Sequence, residues 1–328
     1  SGYLNYRIFD LFKAVKTVEN QSLGEFINGN PTNSISSIQS LSTISVRIKS
    51  GLYKMDSKSL NNGNIKVENN NSISLNNLSL TSPDTYFNWN GDTVTGLTSL
   101  GRQQSVLAIP LHCTKINDSA FSGLTNIRQI KISGNVDNIG QNAFLNCTSL
   151  NTVDLREGIT NIGQLSFSNT ALSSVTIPNS ITSIGIKSFF RCNSLTNMFI
   201  NEVNSKLRFI NEWAFGECPN LNTVKIPAAC IEVQANAFAY SNKLNNVHIY
   251  SNIVTIYNYA FTFDLYWGVG NIYIYNITDP NNLALYASSF DYQNPTTLYV
   301  YVKNSSVKNK VTSVLNQHNP SRYVVNTF

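Results

Sequence analysis

At 328 residues, with 42% hydrophobic and only 12% charged, the chain carries enough apolar side chains for a core and is not a disordered polymer. Its solubility rests on neutral polar groups, 48 Asn among them, and its net charge of +5 is spread without a basic run, which excludes a nucleic-acid partner. No stretch approaches the roughly 18 consecutive apolar residues of a membrane span. Ser1-Gly2 reads as a scar, so a signal or lipid anchor is expected outside this sequence if anywhere.

Residues 3–18 place Leu4, Ile8, Leu11, Phe12, Val15 and Val18 on one helical face. An Asn/Ser-rich stretch follows, with alternating runs at Ile44-Ser45-Val46-Arg47-Ile48, Ile65-Lys66-Val67 and Ile73-Ser74-Leu75, divided by turns such as Asn61-Asn62-Gly63-Asn64. Residues 1–84 therefore read as a small α+β segment. It holds no His and no Cys, and its few carboxylates are dispersed, so an enzyme module there finds no support in its residues.

From Thr85 the pattern sharpens. Tyr86-Phe87-Asn88-Trp89 and Asp92-Thr93-Val94-Thr95 flank Asn90-Gly91, a pair favoured in type I′ hairpin turns. Then Phe121, Phe144, Phe167, Phe189, Phe215, Phe238, Phe261 and Phe290 recur at gaps of 23, 23, 22, 26, 23, 23 and 29 residues, each after Ala or Ser. Such a period means stacked copies of one supersecondary unit. Each copy carries Leu-x-x-Val-x-Ile, as in Leu172/Val175/Ile177 and Leu221/Val224/Ile226, whose last two positions share one face of a strand. A second apolar position recurs at Val136, Ile159, Ile181 and Ile253. A third precedes the Phe by five residues, from Ile116 to Val233, Ile256 and Leu285. Each copy thus offers a strand, a turn, a second extended piece and an Ala-Phe turn or short helix, and it buries these groups only by stacking.

This pattern resembles the BspA-like leucine-rich repeat family over residues 85–328. The resemblance implies an α/β repeat solenoid of about eight rungs with a parallel sheet. Its entry hairpin and array would occupy 85–303 and its closing cap 304–328, where Tyr299-Val300-Tyr301-Val302 leads into a helix. Longer copies at 201–206 and 263–270 depart from the motif. The family implies an extracellular or cell-surface protein that binds a protein or glycan on a host or neighbouring cell.

The repeat register removes most excuses for chemistry. Cys147, Cys192 and Cys218 share one repeat position, and Cys113 and Cys230 share the apolar position of Val136 and Ile159, so all five read as buried core thiols. Cys192 and Cys218, on adjacent rungs, are the one pair whose spacing would allow a disulfide. The histidines are His112, His248 and His318; His112 and Cys113 are strand neighbours that point to opposite faces, and no acidic residue stands at a spacing that would orient either. The carboxylates neither pair nor cluster with His, and no glycine run cradles phosphate, so no catalytic residue, metal or cofactor is expected.

One constellation remains. Residues between the inward strand positions point outward, in a column of Lys131, Asp154, Thr176, Phe199, Lys225, His248, Tyr273 and Tyr299. The next column is Ser133, Arg156, Pro178, Asn201, Pro227, Tyr250, Tyr275 and Tyr301. His248, Tyr250, Tyr273, Tyr275, Tyr299 and Tyr301, with Phe199 further back, are the expected ligand-binding residues. The aromatic insertion Phe263-Asp264-Leu265-Tyr266-Trp267 is a second candidate. Tyrosine offers broad amphipathic contact, but it is also a good strand residue that packs across a sheet. Two roles follow: a non-enzymatic surface binding or adhesion protein that uses the open sheet face, or a structural spacer that presents another domain and binds nothing itself.

Overall fold

The computed structural model describes residues 85–328, except 111, 133–134, 262–269, 291–296 and 318–321, together with the backbone of 43–48, 51–56, 65–67, 72–73 and 83–84. The expected helix over 3–18, the turn at 61–64, Ser133, the aromatic insertion at 263–267 and His318 lie outside the described residues. The chain divides into two compact units, Ser1–Thr85 and Tyr86–Phe328. In the first, strands Thr43–Ile48, Gly51–Asp56, Ile65–Val67 and Ser72–Ile73 form a four-stranded antiparallel meander in sequence order.

The second unit is a parallel β-solenoid. Its entry hairpin pairs Phe87–Asn90 with Thr93–Leu97. The two-residue loop is Gly91-Asp92, one step later than expected. Of this pair only Gly91 has a positive φ (61°), the sign pattern of a type II′ turn. Strand Thr93–Leu97 then opens a narrow ladder of two- and three-residue strands, from Lys115–Ile116 through Asn161–Ile162 to Leu283–Leu285. Its inward residues, Ile116, Ile139, Ile162, Ile184, Ile210, Val233 and Ile256, are fully buried.

The opposite side of each rung is a broader ladder. It is broken into a three-stranded sheet, ending at Thr152–Asp154, and a seven-stranded sheet that begins at Ser174–Thr176. The break has a sequence cause. Five residues separate Phe167 from Leu172, where the neighbouring copies use six, as from Phe144 to Leu150. The shortened rung keeps one long bond, Ser173 N to Asn151 O at 3.4 Å, and then diverges.

Phenylalanine holds the third side. Seven successive ring pairs stack from Phe121 to Phe290, with centroids 4.9–5.8 Å apart. Phe87 closes the column edge-on at 6.1 Å. Each such contact contributes about 0.5–1.5 kcal/mol beyond burial. The small residue before each Phe is buried, and the segment is a turn, not a short helix. From Phe121 to Phe238 the residues two before and two after the Phe adopt positive φ, as Asn142 (56°) and Asn146 (60°) do around Phe144. That conformation aims alternate N–H groups at the next rung: Asn142 N to Gln164 O, Phe144 N to Ser166 O, and Asn146 N to Ser168 O.

The cysteines complete this corner. Cys147, Cys192 and Cys218 are free and fully buried, and their thiols donate to the carbonyls of Phe121, Phe167 and Phe189 at 3.0–3.2 Å. Ser241 makes the same bond to Phe215 with a hydroxyl. The Cys192–Cys218 disulfide that the spacing allowed is not formed.

One expected core position fails. Ile253 is 55% exposed and Val254 is buried in its place. Pro178 and Pro227 stop the broad ladder in their rungs because proline has no N–H. Tyr250, at the equivalent position, donates its N–H to Ile226 O at 2.9 Å, so the ladder runs on and the turn opens.

The C-terminal end is covered by helix Ser305–Leu315, the only α-helix among the described residues. Asn304 caps it by accepting from Val307 N, and Val307, Val311 and Leu315 form its buried stripe. A strand absent from the expectation, Tyr323–Thr327, then pairs in parallel with Leu298–Val302. The Tyr323 hydroxyl donates to Phe290 O, the last carbonyl of the phenylalanine column.

Candidate functional site

The three rungs that carry tyrosine lengthen the broad ladder, and that lengthening builds the site. Strands Thr223–Ile226, Asn246–Ile249, Gly270–Ile274 and Leu298–Val302 pair over four residues each. Their alternation buries Val224, Ile226, Val247, Ile249, Ile272, Ile274, Val300 and Val302 and leaves the residues between them facing out.

The outward rings form two stacked rows. In the first, His248 lies 4.8 Å from Tyr273 and Tyr273 lies 5.0 Å from Tyr301, with ring planes nearly parallel. In the second, Tyr250 lies 4.8 Å from Tyr275, and Tyr275 lies 5.4 Å from Phe328. The rows touch through His248 and Tyr275, whose Nδ1 and hydroxyl oxygen are 2.9 Å apart. Because stacking occupies most ring faces, the site presents ring edges and hydroxyls. Phe328 is 57% exposed at the open end.

The register differs from the expectation in one respect. Tyr301 pairs with Tyr273, and Tyr299 pairs with Asn271, one step back along the strand. The segment between Ile274 and Leu298 departs from the regular spacing, so the period does not fix the register of the strand that follows it. Phe328 fills the place beside Tyr275, held by its N–H bond to Val302 O at 3.0 Å. Nothing in the repeat period could have found Phe328, since the last strand lies beyond the final Phe of the beat.

Phe199 is 54% exposed and lies apart from the tyrosine rows. It lines a shallow concavity of about 520 Å³ beside the ladder break, with Arg156, Thr176, Pro178 and Glu202. Lys225, paired with Glu202, separates this hollow from His248. That ion pair holds the Glu202 carboxyl below and the Lys225 ammonium above their usual ranges. Burial, then the Lys225 charge, pushes His248 down, against the pull of Glu202. Burial, with Tyr250 and Tyr273 beside it, pushes the Tyr275 phenol up. At neutral pH the face is therefore aromatic and uncharged, with one ion pair on its flank.

His112 and Cys113 lie at a turn and not in the expected strand, yet their side chains separate. The thiol is buried and bonded to Lys115 O at 3.2 Å, while the imidazole lies 4.3 Å from the Trp89 ring. Burial pushes the Cys147 and Cys230 thiols up to about 12. Among the described residues no group of three or more His, Cys, Asp or Glu is placed to hold a metal ion, and no helix is long and apolar enough to cross a membrane.

No curated protein matches the chain. Several solved structures resemble it. A leucine-rich repeat protein of T. pallidum is 23% identical over 56% of this chain and 84% of that one, with a TM-score of 0.47. A leucine-rich cell surface protein of Faecalibacterium prausnitzii is 15% identical over 88% and 95%, with a TM-score of 0.39. The pneumococcal vaccine antigen PcpA is 13% identical over 86% and 98%, with a TM-score of 0.40. The BspA type leucine-rich repeat region matches residues 103–212 and 200–311, in six copies. With its stacked Phe column and parallel ladders matched over most of its length, the chain belongs to the BspA type leucine-rich repeat family.

Proposed function

We propose that this chain is a non-enzymatic binding protein of the cell surface or its surroundings, and that it recognises a protein or glycan through the rows His248/Tyr273/Tyr301 and Tyr250/Tyr275/Phe328. The observation that supports this reading most is the convergence of six rings from four strands on one open face. Aromatic clusters that reach solvent mark recognition sites more often than isolated rings do, and here five rings are half-buried and Phe328 is exposed. Projecting hydroxyls give the contact direction. The Cys147 and Cys230 thiols do not offer a rival chemistry, because burial keeps them protonated. Membership of the BspA type leucine-rich repeat family supports the surface location.

A glycan array and a capture experiment on surface-exposed proteins, both with the intact chain, test this reading. Ala at Tyr273, Tyr275 and Tyr301 is expected to lower retention of whatever binds by at least about tenfold, the scale of one lost hot spot. The spacer reading has its own support: rings stacked in register stabilise the ladder whether or not anything binds them. It predicts lost stability and unchanged retention.

A further inference from the structure

A second surface lies at the phenylalanine corner. The residue two after each Phe forms a row across successive rungs: Asn146, Asn169, Arg191, Glu217 and Tyr240. The row is internally bonded. Asn169 donates to Asn146 Oδ1 at 2.9 Å, and Arg191 Nε donates to Glu217 at 2.7 Å. At the Tyr240 end it meets Trp213, whose ring stacks on Tyr240 at 5.9 Å and takes the edge of Phe190 at 5.8 Å. The Arg191 guanidinium lies over the Phe190 ring at 5.0 Å.

Two features set this corner apart from packing. Trp213 and Tyr240 occupy positive-φ positions (58° and 57°), where bulky side chains are disfavoured and where other rungs carry Asn142, Asn236, Asn146 and Asn169 as well as Leu165, Lys187 and Tyr259. The Trp213 ring also lies flat on Gly216, where a Cβ would come within 2.5 Å of the indole. Tyr240 is nevertheless 48% exposed, so the stack keeps an outward face.

We propose that this corner is a site for a neutral oligosaccharide. The C–H face of a sugar ring packs on an open aromatic face, and its paired hydroxyls match amides, a guanidinium and a carboxylate held at fixed spacing. Rungs separated by about 4.8 Å present these groups as a repeating row, which suits a chain of sugars more than a single one. Arg191 and Glu217 neutralise each other, which favours an uncharged ligand. This site is separate from the tyrosine face.

The test is an array of immobilised neutral oligosaccharides probed with the intact chain and with Trp213→Asn/Tyr240→Asn. Asparagine suits the backbone at both places, so thermal stability should hold. Binding to at least one neutral glycan is expected, with a loss of tenfold or more in the double variant; Tyr273→Phe/Tyr275→Phe is probed beside it to locate the sugar. Overturning results are an array with no bound neutral glycan, or binding that survives the Asn pair. Glycan binding lost only in the Phe pair would also overturn the corner site and would assign the sugar to the tyrosine face instead.

Discussion

Tyr301 stacks on Tyr273 at 5.0 Å, and this contact fixes the C-terminal end of the open face. It moves Tyr299 back beside Asn271 and leaves room for Phe328 to cover Tyr275. The face is therefore built by the last strand, Tyr323–Thr327, as well as by the repeats. Alanine changes here remove stacking as well as contact surface, about 0.5–1.5 kcal/mol for each lost ring pair. A fall in melting temperature is expected with Tyr273→Ala. Tyr273→Phe should keep the stack and the melting temperature, which thermal unfolding of the two variants checks.

His248 makes stability depend on pH. Its folded pKa lies below the ordinary 6.5, chiefly through burial, so the unfolded chain binds the proton first as the pH falls. Stability is then complete above about pH 6.5 and declines as the pH drops towards the lower folded value. Denaturant titrations at about pH 7.5 and about pH 5.5 should show this decline in the native chain and a smaller one in His248→Phe, which retains a ring in the stack. Equal slopes in both proteins would mean that His248 titrates as freely folded as unfolded.

Gly163 marks a point where two rungs touch. A Cβ there would lie 2.6 Å from Ile139 O, a backbone atom that cannot swing aside. Gly163→Ala is expected to destabilise by about 1–3 kcal/mol, the usual cost of overpacking. Urea unfolding measures it as a lower midpoint with an unchanged slope.

The thiols should be inert in the native state. All five are buried and free, and burial, with Cys192 beside it, pushes Cys218 well above the ordinary thiol range. A thiol-labelling reagent at neutral pH should modify none of the five before unfolding and all of them after it; rapid labelling of any one would contradict its placement. Cys218→Ser should be nearly neutral, because Ser241 already makes the same bond one rung on. Cys218→Val removes a donor to Phe189 O and should cost about 1 kcal/mol in the same unfolding titration.

The ladders were legible because each inward column repeats one residue type at one spacing. Ile162, Ile184 and Ile210, or Phe167 and Phe189, need no structure to be stacked. Departures arise where a single residue changes the backbone's options. Tyr250 donates an N–H that Pro227 lacks, so Val254 turns inward and Ile253 outward. One residue missing between Phe167 and Leu172 splits the broad sheet. The tyrosine face was legible as a cluster through His248, Tyr250, Tyr273 and Tyr275. Tyr301 was legible as a member but not its neighbour, because the expected columns set it beside Tyr275 where the strand pairs it with Tyr273, and no period reaches Phe328. The Trp213–Tyr240 corner was hidden for another reason: the two residues sit at different repeat positions and meet only because both backbones turn left-handed.

The most direct measurement on the open face is the retention of surface proteins and glycans by the intact chain and by Tyr273→Ala/Tyr275→Ala/Tyr301→Ala, taken at a temperature where both are shown to be folded. A face that binds predicts specific retention by the native chain and at least about a tenfold loss in the variant. Retention unchanged by the three substitutions would contradict the account and leave the stacked rings as reinforcement of the ladder.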